Sequence, residues 1–412
     1  MSASSDNPMS ATITRVSIVT ETFAPEINGV ANTLSQLVCG LRQRGIEVQV
    51  IRPRQAGDSK ATSDDWHTVT LPGLPIPGYQ ELRFGLPWQG RVRAAIQAFR
   101  PQAIYVATEG PMGWVAVKAA KRLAIPVVSG FHTNFHQYIE HYRLGAFERL
   151  AYAYLRRFHN RTQATLVPTR AQRDELEQHG FERVQVLSRG VDSQRFHPDK
   201  RDGSLRRQWQ VKDDDIVLLY VGRIAGEKNL QLAVRTFEQL KTLDEAVKLV
   251  LVGDGPELPA LQEKHSDIIT CGMQTGDDLS RHFASGDVFL FPSKTDTFGN
   301  VVTEAMASGL AVVSFDYAAA HEHIRHGDNG LVAPFGDDDS FIHQASLLSD
   351  SPNLLRQIRQ RARQHAEGIS WGSIVEDFIQ RLAQASHEVH VHADEQKRRP
   401  KNRSSVPQSG SL

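Results

Sequence analysis

Short apolar segments rich in β-branched residues alternate with longer helical segments along this chain, and the alternation occurs twice. Several of the apolar segments are apolar almost throughout, which is typical of parallel strands covered on both faces. Such a pattern predicts a parallel sheet with helices on both sides. We therefore expect an α/β protein with two doubly wound domains that face a central cleft. The predicted strands are 15–21, 48–53, 103–109, 126–133, 164–169, 184–190, 216–223, 247–255, 268–272, 288–293, 311–316 and 330–334.

The polar, proline-containing segment 189–200 marks the predicted division between the two domains. The N-terminal domain is expected over residues 14–190 and the C-terminal domain over residues 191–369. A helix at about 370–386 is expected to cross back to the N-terminal domain. Residues 1–13 are polar and small, and we predict that they are disordered.

Charge and cysteine content exclude several classes of function. The chain has 412 residues, with 47 basic and 47 acidic side chains, so its formal net charge is zero and gives no general reason to expect nucleic-acid binding. Two cysteines, Cys39 and Cys271, lie in different halves, which argues against a disulfide framework or a zinc site and fits a reducing cytoplasm. No secretory signal and no run of roughly 18–20 apolar residues is present, so we expect a cytoplasmic protein whose membrane contact is peripheral.

The segment 292–309, PSKTDTFGNVVTEAMASG, is the most informative single motif. Asp296 and Glu304 stand eight residues apart, and Gly299 ends a turn just before a predicted helix. A glycine at a helix start allows a ligand to approach unpaired backbone N–H groups, which suits a phosphate. Glu304, about one turn inside the helix, is placed to bind a sugar hydroxyl. The segment predicts a nucleotide-sugar site, although an ordinary strand–turn–helix unit has the same pattern.

Three other segments follow predicted strands and converge on the same cleft. Gly29 lies in the first strand-to-helix loop, where close ligand approach or a tight turn requires glycine. His132 lies at the carboxyl end of the predicted strand 126–133 and can donate to a sugar hydroxyl, or serve a structural purpose. Arg223 and Lys228 share one short loop and can neutralise a departing diphosphate, or simply be solvated charges.

These motifs together resemble a known family. Gly29 in its loop, GRIAGEKN (222–229), VGDGPE (252–257) and FPSKTDTFGNVVTEAMASG (291–309) resemble the retaining, family-four glycosyltransferases of GT-B fold, which have two Rossmann-like domains. The resemblance covers about residues 15 to 385. Within that family, INGVANTLSQL, FHTNF and SRGVDSQRFHP look like a subgroup that contains GDP-mannose-dependent α-mannosyltransferases and sulfoquinovosyl- or glucosyl-diacylglycerol synthases.

The resemblance implies a role for each matching residue. Arg223 and Lys228 match the basic pair that holds the donor diphosphate, and His132 matches a histidine that contacts the donor sugar. Glu304 matches the second glutamate of an E-x7-E motif, which binds the ribose. The first glutamate of that motif is replaced here by Asp296, whose carboxylate is one methylene shorter. The implied catalytic residues are His132, Arg223, Lys228 and Asp296, and the implied donor-binding residues are Gly29, Arg223, Lys228, Met273, Asp296, Thr297, Phe298, Gly299, Asn300 and Glu304.

Such enzymes retain the anomeric configuration without an obvious nucleophile, so catalysis is mainly positioning and charge stabilisation. No cofactor and no metal are expected, because two cations stand where a metal would otherwise act. We expect transfer of a hexose to a lipid or glycolipid acceptor such as diacylglycerol, with GDP-mannose favoured as donor over a UDP-glucose, UDP-galactose or UDP-sulfoquinovose. A nucleotide-sugar epimerase and a non-catalytic sugar-nucleotide sensor are the alternatives.

Two basic segments are candidates for contact with an anionic membrane. Residues 141–161, HYRLGAFERLAYAYLRRFHNR, combine arginines with apolar residues at helical spacing. A basic amphipathic helix of this kind can lie on an anionic bilayer, or its apolar stripe can pack on the N-terminal sheet. The basic segment 387–412 is predicted to be a disordered tail, either solubilising or a weak anchor to anionic lipid.

Overall fold

The computed structural model describes residues 12–398, except 27, 56–57, 59–66, 77–78, 133–144 and 213–214. Its first sheet has seven parallel strands in the order β3-β2-β1-β6-β7-β8-β9. These strands are β1 Arg15–Val19, β2 Glu47–Pro53, β3 Thr68–Leu71, β6 Ala103–Val106, β7 Val127–Gly130, β8 Ala164–Val167 and β9 Val184–Val186. A separate antiparallel hairpin joins β4 Gly73–Ile76 to β5 Tyr79–Gly85.

The second sheet has six parallel strands in the order β12-β11-β10-β13-β14-β15. They are β10 Val217–Val221, β11 Lys248–Val252, β12 Ile269–Thr270, β13 Val288–Phe291, β14 Ala311–Phe315 and β15 Leu331–Ala333. In the first sheet the strand order reverses between β1 and β6, and in the second sheet it reverses between β10 and β13. Each sheet therefore has a switch point, where a crevice opens at the carboxyl ends of the strands. The predicted pair of doubly wound sheets is confirmed.

Each of the twelve predicted strand segments overlaps one observed strand, and eleven of these strands are shorter at their carboxyl ends; the exception, β2, ends with its segment at Pro53. The difference arises because residues such as Thr20, Glu109 and Arg223 leave the sheet to form the loops of its edge. Strand β3 and the hairpin β4–β5 were not predicted. The segment Thr68–Leu71 lies at the sheet edge and is partly exposed, and the hairpin contains Gly73 and Pro75, which are uncommon inside strands.

Helices cover both faces of each sheet. Successive residues of one strand therefore belong to different apolar clusters: Leu218 and Tyr220 pack into one cluster, while Val217, Leu219 and Val221 pack into the other. The helices after the first strands are Gly29–Gln43, Gln89–Phe99, Pro111–Leu123, Gly145–His159 and Arg170–Gln178. Those of the second half are Gly203–Gln208, Leu230–Leu243, Leu258–Lys264, Gly276–Ser285, Asn300–Ala307, Ala318–His323, Asp338–Asp350 and Pro352–Glu367.

The last helix, Trp371–Arg398, returns to the first sheet. Its side chains Val375, Phe378 and Leu382 are fully buried and belong to the same apolar cluster as Leu34 on the first helix.

Two segments that were predicted to be disordered are ordered in part. Residues up to 398 are helical, so the predicted tail 387–412 is wrong in its first twelve positions, where helix-favouring Glu, Ala, Gln and Lys continue the helix.

Residue Ile13 was assigned to the disordered N-terminus, and this was also wrong. Its side chain is 5% exposed and packs in the cluster that contains the last helix. The remainder of both predicted disordered segments, residues 1–11 and 399–412, lies outside the described residues.

We expect Gly40→Ala to destabilise the protein, because the last helix passes directly over this glycine. A Cβ at position 40 would lie 2.4 Å from Cγ2 of Val375. Overpacking of this kind costs about 1–3 kcal/mol, which exceeds the helix-propensity gain of about 0.5–1 kcal/mol. The free energy of unfolding in urea measures the effect. The control is Gly90→Ala, in a helix with open space around the site, which should be neutral or slightly stabilising. Equal stability of the two variants would contradict the packing described.

Candidate active site

Two helices, one from each half, begin at the space between the two sheets. The first starts at Gly29, where Oδ1 of Asn28 accepts hydrogen bonds from the N–H groups of Val30 and Ala31 at 3.1 and 2.8 Å. The second starts at Asn300. A Cβ on Gly29 would lie 3.9 Å from Nδ2 of Asn300, so the two helix starts lie across the cleft from one another. Two helix N-termini directed at one space favour an anion there.

The second helix start depends on the glycine that precedes it. Gly299 has φ +83°, in the left-handed region, and a Cβ there would lie 2.7 Å from Cζ of Phe291. The neighbouring Phe298 is 1% exposed and anchors the turn in the core of the second half. Glycine is therefore required at this position for two reasons. The backbone is left-handed, and a side chain would collide with Phe291.

The two expected cations are not equivalent. Lys228 lies on the 3₁₀ turn after β10, and its Nζ is 2.9 Å from Oδ1 of Asp296, with side chains 22% and 21% exposed. Arg223 is more exposed, and its Nη1 lies 3.4 Å from Oε1 of Glu227. A phosphate that binds Lys228 must therefore share this ammonium group with Asp296 or displace the carboxylate. The sequence did not predict that pairing.

The glycines of VGDGPE support the loop that carries these cations. A Cβ at Gly253 would lie 1.9 Å from the carbonyl oxygen of Gly222, and one at Gly255 would lie 2.2 Å from that of Ile224. The two loops can therefore approach only because these positions lack side chains. Gly253 and Gly255 of this motif thus mark close backbone packing beside the site.

His132 lies at the carboxyl edge of the first sheet, as expected, but both of its ring nitrogens have partners within its own half. Nε2 is 2.9 Å from the hydroxyl of Tyr105, and Nδ1 is 3.3 Å from Nη2 of Arg189. Its main-chain carbonyl instead accepts a hydrogen bond from Oγ1 of Thr297 in the second half, at 3.2 Å. Burial, and to a lesser degree the nearby charge of Arg189, lowers the pKa of His132 to about 3, so its ring is neutral at physiological pH.

Glu304 lies one turn inside the helix Asn300–Ala307 and is partly buried. Burial raises the pKa of its carboxyl to about 7, and the charge of Arg195 opposes this shift only in part. Among the described residues we find no hydrogen bond to its side chain. A buried carboxylate of this kind gains from donors such as sugar hydroxyls. At the outer edge of the site, Met273 is 57% exposed after β12, where it can flank a bound base.

The structure thus brings Gly29, His132, Thr297 and Asn300 together across the cleft, with Lys228 and Asp296 beside them. Arg223 and Met273 lie further out, at its exposed rim. Sequence reasoning missed Tyr105 and Arg189, the two partners of His132. The only sequence signal for Arg189 was the SRGVD motif, in which it received no role, and no signal singled out Tyr105.

Comparisons with known proteins identify the family of the chain. The model of Glycosyltransferase Family 4 matches residues 27–195, and that of Glycosyl transferases group 1 matches residues 215–351. The chain is 33% identical over 374 residues to a GDP-mannose-dependent alpha-mannosyltransferase of Mycobacterium tuberculosis, covering 89% of this chain and 95% of the relative. It is 25% identical over 313 residues to an alpha-monoglucosyldiacylglycerol synthase of Streptococcus pneumoniae, covering 73% and 70%.

Among solved structures, a sucrose-phosphate synthase from Thermosynechococcus elongatus has a TM-score of 0.77 at 16% identity, covering 92% of this chain and 99% of that one. At such low identity the similarity concerns the fold alone. It confirms the predicted GT-B arrangement of two Rossmann-like halves.

We predict that Glu304→Gln stabilises the protein more at pH 8 than at pH 5. The carboxyl has a higher pKa in the folded state than its ordinary 4.5, so the folded state binds more protons between pH 4.5 and 7. The stability of the parent protein must therefore fall as pH rises through that interval, and glutamine removes this loss. Urea unfolding at pH 5, 6, 7 and 8 measures the difference between variant and parent. Exposed Glu263 provides the control Glu263→Gln. A difference independent of pH would contradict the burial of a carboxyl at position 304.

Proposed function

The chain belongs to glycosyltransferase family 4, and on that premise we propose that it transfers mannose from GDP-mannose to a lipid or glycolipid hydroxyl, with retention. The observation that carries the donor assignment is the similarity to a GDP-mannose-dependent alpha-mannosyltransferase over nearly the whole of both chains. The similarity to a monoglucosyldiacylglycerol synthase supports a diacylglycerol or glycosylated diacylglycerol acceptor. A UDP-sugar is the alternative donor.

In this proposal the donor diphosphate lies between the helix starts at Gly29 and Asn300. Backbone N–H groups, with Lys228 and Arg223, stabilise the negative charge that develops on the departing diphosphate. Glu304 accepts hydrogen bonds from the ribose hydroxyls, which removes the cost of burying its charge. Two cations and two helix dipoles supply the charge stabilisation, so we propose that the reaction needs no metal.

Asp296 is proposed to act in two ways. Its carboxylate holds Lys228 in place before the donor binds, at 2.9 Å between Oδ1 and Nζ. When the diphosphate takes over the ammonium group, the carboxylate is released to accept a hydrogen bond from a sugar hydroxyl. The shorter side chain of aspartate suits this arrangement, because a glutamate would carry the carboxylate further from the loop backbone.

The proposal is tested by a donor screen with the full chain and liposomes that contain diacylglycerol and glycosylated diacylglycerol. Labelled GDP-mannose, UDP-glucose, UDP-galactose and UDP-sulfoquinovose are each supplied with and without EDTA. We expect labelled lipid from GDP-mannose in both conditions. Labelled lipid from a UDP-sugar alone would overturn the donor assignment, and loss of product with EDTA would overturn metal independence. Free sugar or an epimer without labelled lipid indicates an epimerase, whereas donor binding without turnover indicates a sensor.

Lys228→Ala should lower kcat about 10²–10³-fold, because it removes one charge-stabilising donor from the leaving diphosphate. The initial rate of labelled lipid formation at saturating donor measures this. Lys241 forms an ion pair with Asp267 at the far end of the helix Leu230–Leu243, and Lys241→Ala provides the matched control. A Lys228→Ala variant with undiminished kcat would show that the leaving-group assignment is wrong.

We also propose that the helix Gly145–His159 lies on an anionic membrane surface, which would place the protein at the inner face of the cytoplasmic membrane. Leu155 and Phe158 are buried in the N-terminal half, so part of the predicted apolar stripe is structural. The outer face carries Leu150, 67% exposed, and Tyr154, 44% exposed. Within the part of the chain that is described, no helix is long and apolar enough to cross a membrane. Residues 141–144 of the predicted segment lie outside the described part.

The basic residues of this outer face include Arg149 and Arg157, which are exposed and make no ion pair among the described residues. Arg156 instead donates to the carbonyl oxygen of His179 at 3.0 Å. Attraction to anionic lipid is therefore proposed to come from Arg149 and Arg157, with Leu150 inserted at the interface.

The double variant Arg149→Glu/Arg157→Glu should reduce binding to phosphatidylglycerol liposomes about tenfold or more, since each basic residue near such a surface contributes about 1 kcal/mol. Co-sedimentation measures the bound fraction. The double variant Arg207→Glu/Arg356→Glu changes the net charge equally on exposed sites of the second half, and it should bind like the parent. An equal loss of liposome binding in both variants would show that only the net charge matters, and it would contradict a membrane-binding face at this helix.

A further inference from the structure

Arg189 is a buried cation at the boundary between the two halves. Its exposed fraction is 5%. Nη1 donates to Oγ1 of Thr33 at 3.0 Å and approaches the carbonyl oxygen of Gly29 at 3.5 Å, while Nη2 lies 3.3 Å from Nδ1 of His132. Its guanidinium carbon lies 5.5 Å from the ring centre of Phe298 in the second half. Three residues of the proposed site, Gly29, His132 and Phe298, therefore contact this one side chain.

Burying an arginine without a carboxylate partner is costly. No carboxylate of the described residues forms an ion pair with Arg189, and burial lowers the pKa of its guanidinium to about 10. The structure offers a contrast in Arg206, 2% exposed, which pairs with Asp287 at 3.0 Å. Arg206 joins two segments of the second half, as a structural arginine does. Arg189 instead faces backbone, a hydroxyl, an aromatic ring and an imidazole, all within the cleft wall.

Tyr105 holds the other side of the imidazole. Its hydroxyl is 2.9 Å from Nε2 of His132, and its ring packs edge-on against Phe378 of the last helix, with centroids 5.0 Å apart. A Cβ at Gly130 would lie 2.0 Å from the Tyr105 hydroxyl and 2.5 Å from Nε2 of His132. The tyrosine can therefore reach the histidine only because position 130 has no side chain.

These contacts fix which nitrogen of His132 carries the proton. A guanidinium can only donate hydrogen bonds, so Nδ1 must be the acceptor. In the neutral ring Nε2 then carries the hydrogen and donates it to the Tyr105 hydroxyl. Since both nitrogens are occupied, the ring cannot rotate without losing a hydrogen bond. The backbone of His132, whose carbonyl meets Thr297 across the cleft, is held with it.

We propose that Arg189 is a positioning residue for the transfer reaction: it holds the His132 imidazole against Tyr105 in one tautomer and thereby sets the His132 backbone relative to Thr297 and the Gly29 turn. The expected loss of kcat rests on the proposed glycosyltransferase function. The expected tautomer and position of His132 do not. Arg189 acts through its contacts with His132, Gly29 and Phe298. It does not itself contact the sugar in this proposal.

The first test is NMR of the full chain labelled with ¹⁵N in its histidine rings, near pH 7, with the His132 signals assigned by their loss in His132→Gln. We expect the parent to have the neutral Nε2–H form. Arg189→Met should produce the Nδ1–H form or a mixture, and Arg206→Met should leave the signals unchanged. A parent in the Nδ1–H form, or an Arg189→Met variant with the parent's signals, would overturn the proposal. This readout needs no turnover, so it stands even if the proposed function fails.

The second test separates positioning from folding by kinetics. Arg189→Met should lower kcat about 10- to 100-fold, as small displacements of positioning groups do. The KM for the donor should change less than kcat, because Lys228, Arg223 and Glu304 belong to the other half and only the Gly29 turn is shared with Arg189. Arg189→Lys, which keeps a donor towards Nδ1, should recover part of the kcat and the Nε2–H signal together. Arg206→Met should lose stability without this kcat effect. A loss of kcat in Arg189→Met that only parallels the loss of folded protein would assign Arg189 a structural role and overturn the proposal.

Discussion

The direction in which helices leave a parallel sheet determines the rest of this structure. Every helix that follows a parallel strand begins at the carboxyl edge of the sheet, with unpaired N–H groups and the positive end of its dipole. Two such sheets face one another here, so the helix starts at Gly29 and Asn300 share one cleft. The result is a positively polarised space between the halves, before any charged side chain is considered.

The charged residues of the cleft wall are arranged around that space at some cost to stability. Lys228 and Asp296 neutralise one another at 2.9 Å, whereas Glu304 and Arg189 have no ion-pair partner among the described residues. Burial raises the pKa of Glu304 to about 7 and lowers that of Arg189 to about 10, which means that each charge is unfavourable where it stands. Groups kept in such positions are typical of functional sites, where a ligand provides the missing partner or a neighbour must be held in place.

Hydrogen bonds between the described residues of the two halves fix how the halves sit against one another. Thr297 donates to the carbonyl of His132, and the N–H of Arg170 donates to Oε1 of Glu322 at 2.7 Å. The last helix belongs to the second half in sequence but packs against the first sheet. There the ring of its Phe378 packs against Tyr105, the hydrogen-bond partner of His132. Phe378, near the C-terminal end of the chain, thereby helps to position His132, which lies about 250 positions earlier in the sequence.

The sequence alone determined the two-sheet architecture and the helix start at Gly299–Asn300. It could do so because strand and helix periodicity and glycine requirements are local properties of the chain. The pairing of Lys228 with Asp296, the inward direction of the His132 ring and the burial of Arg189 were decided by tertiary structure only. The hydrogen bonds involved join residues 27 to 156 positions apart in the chain, and the electrostatic environment of a side chain depends on which distant groups the fold brings beside it.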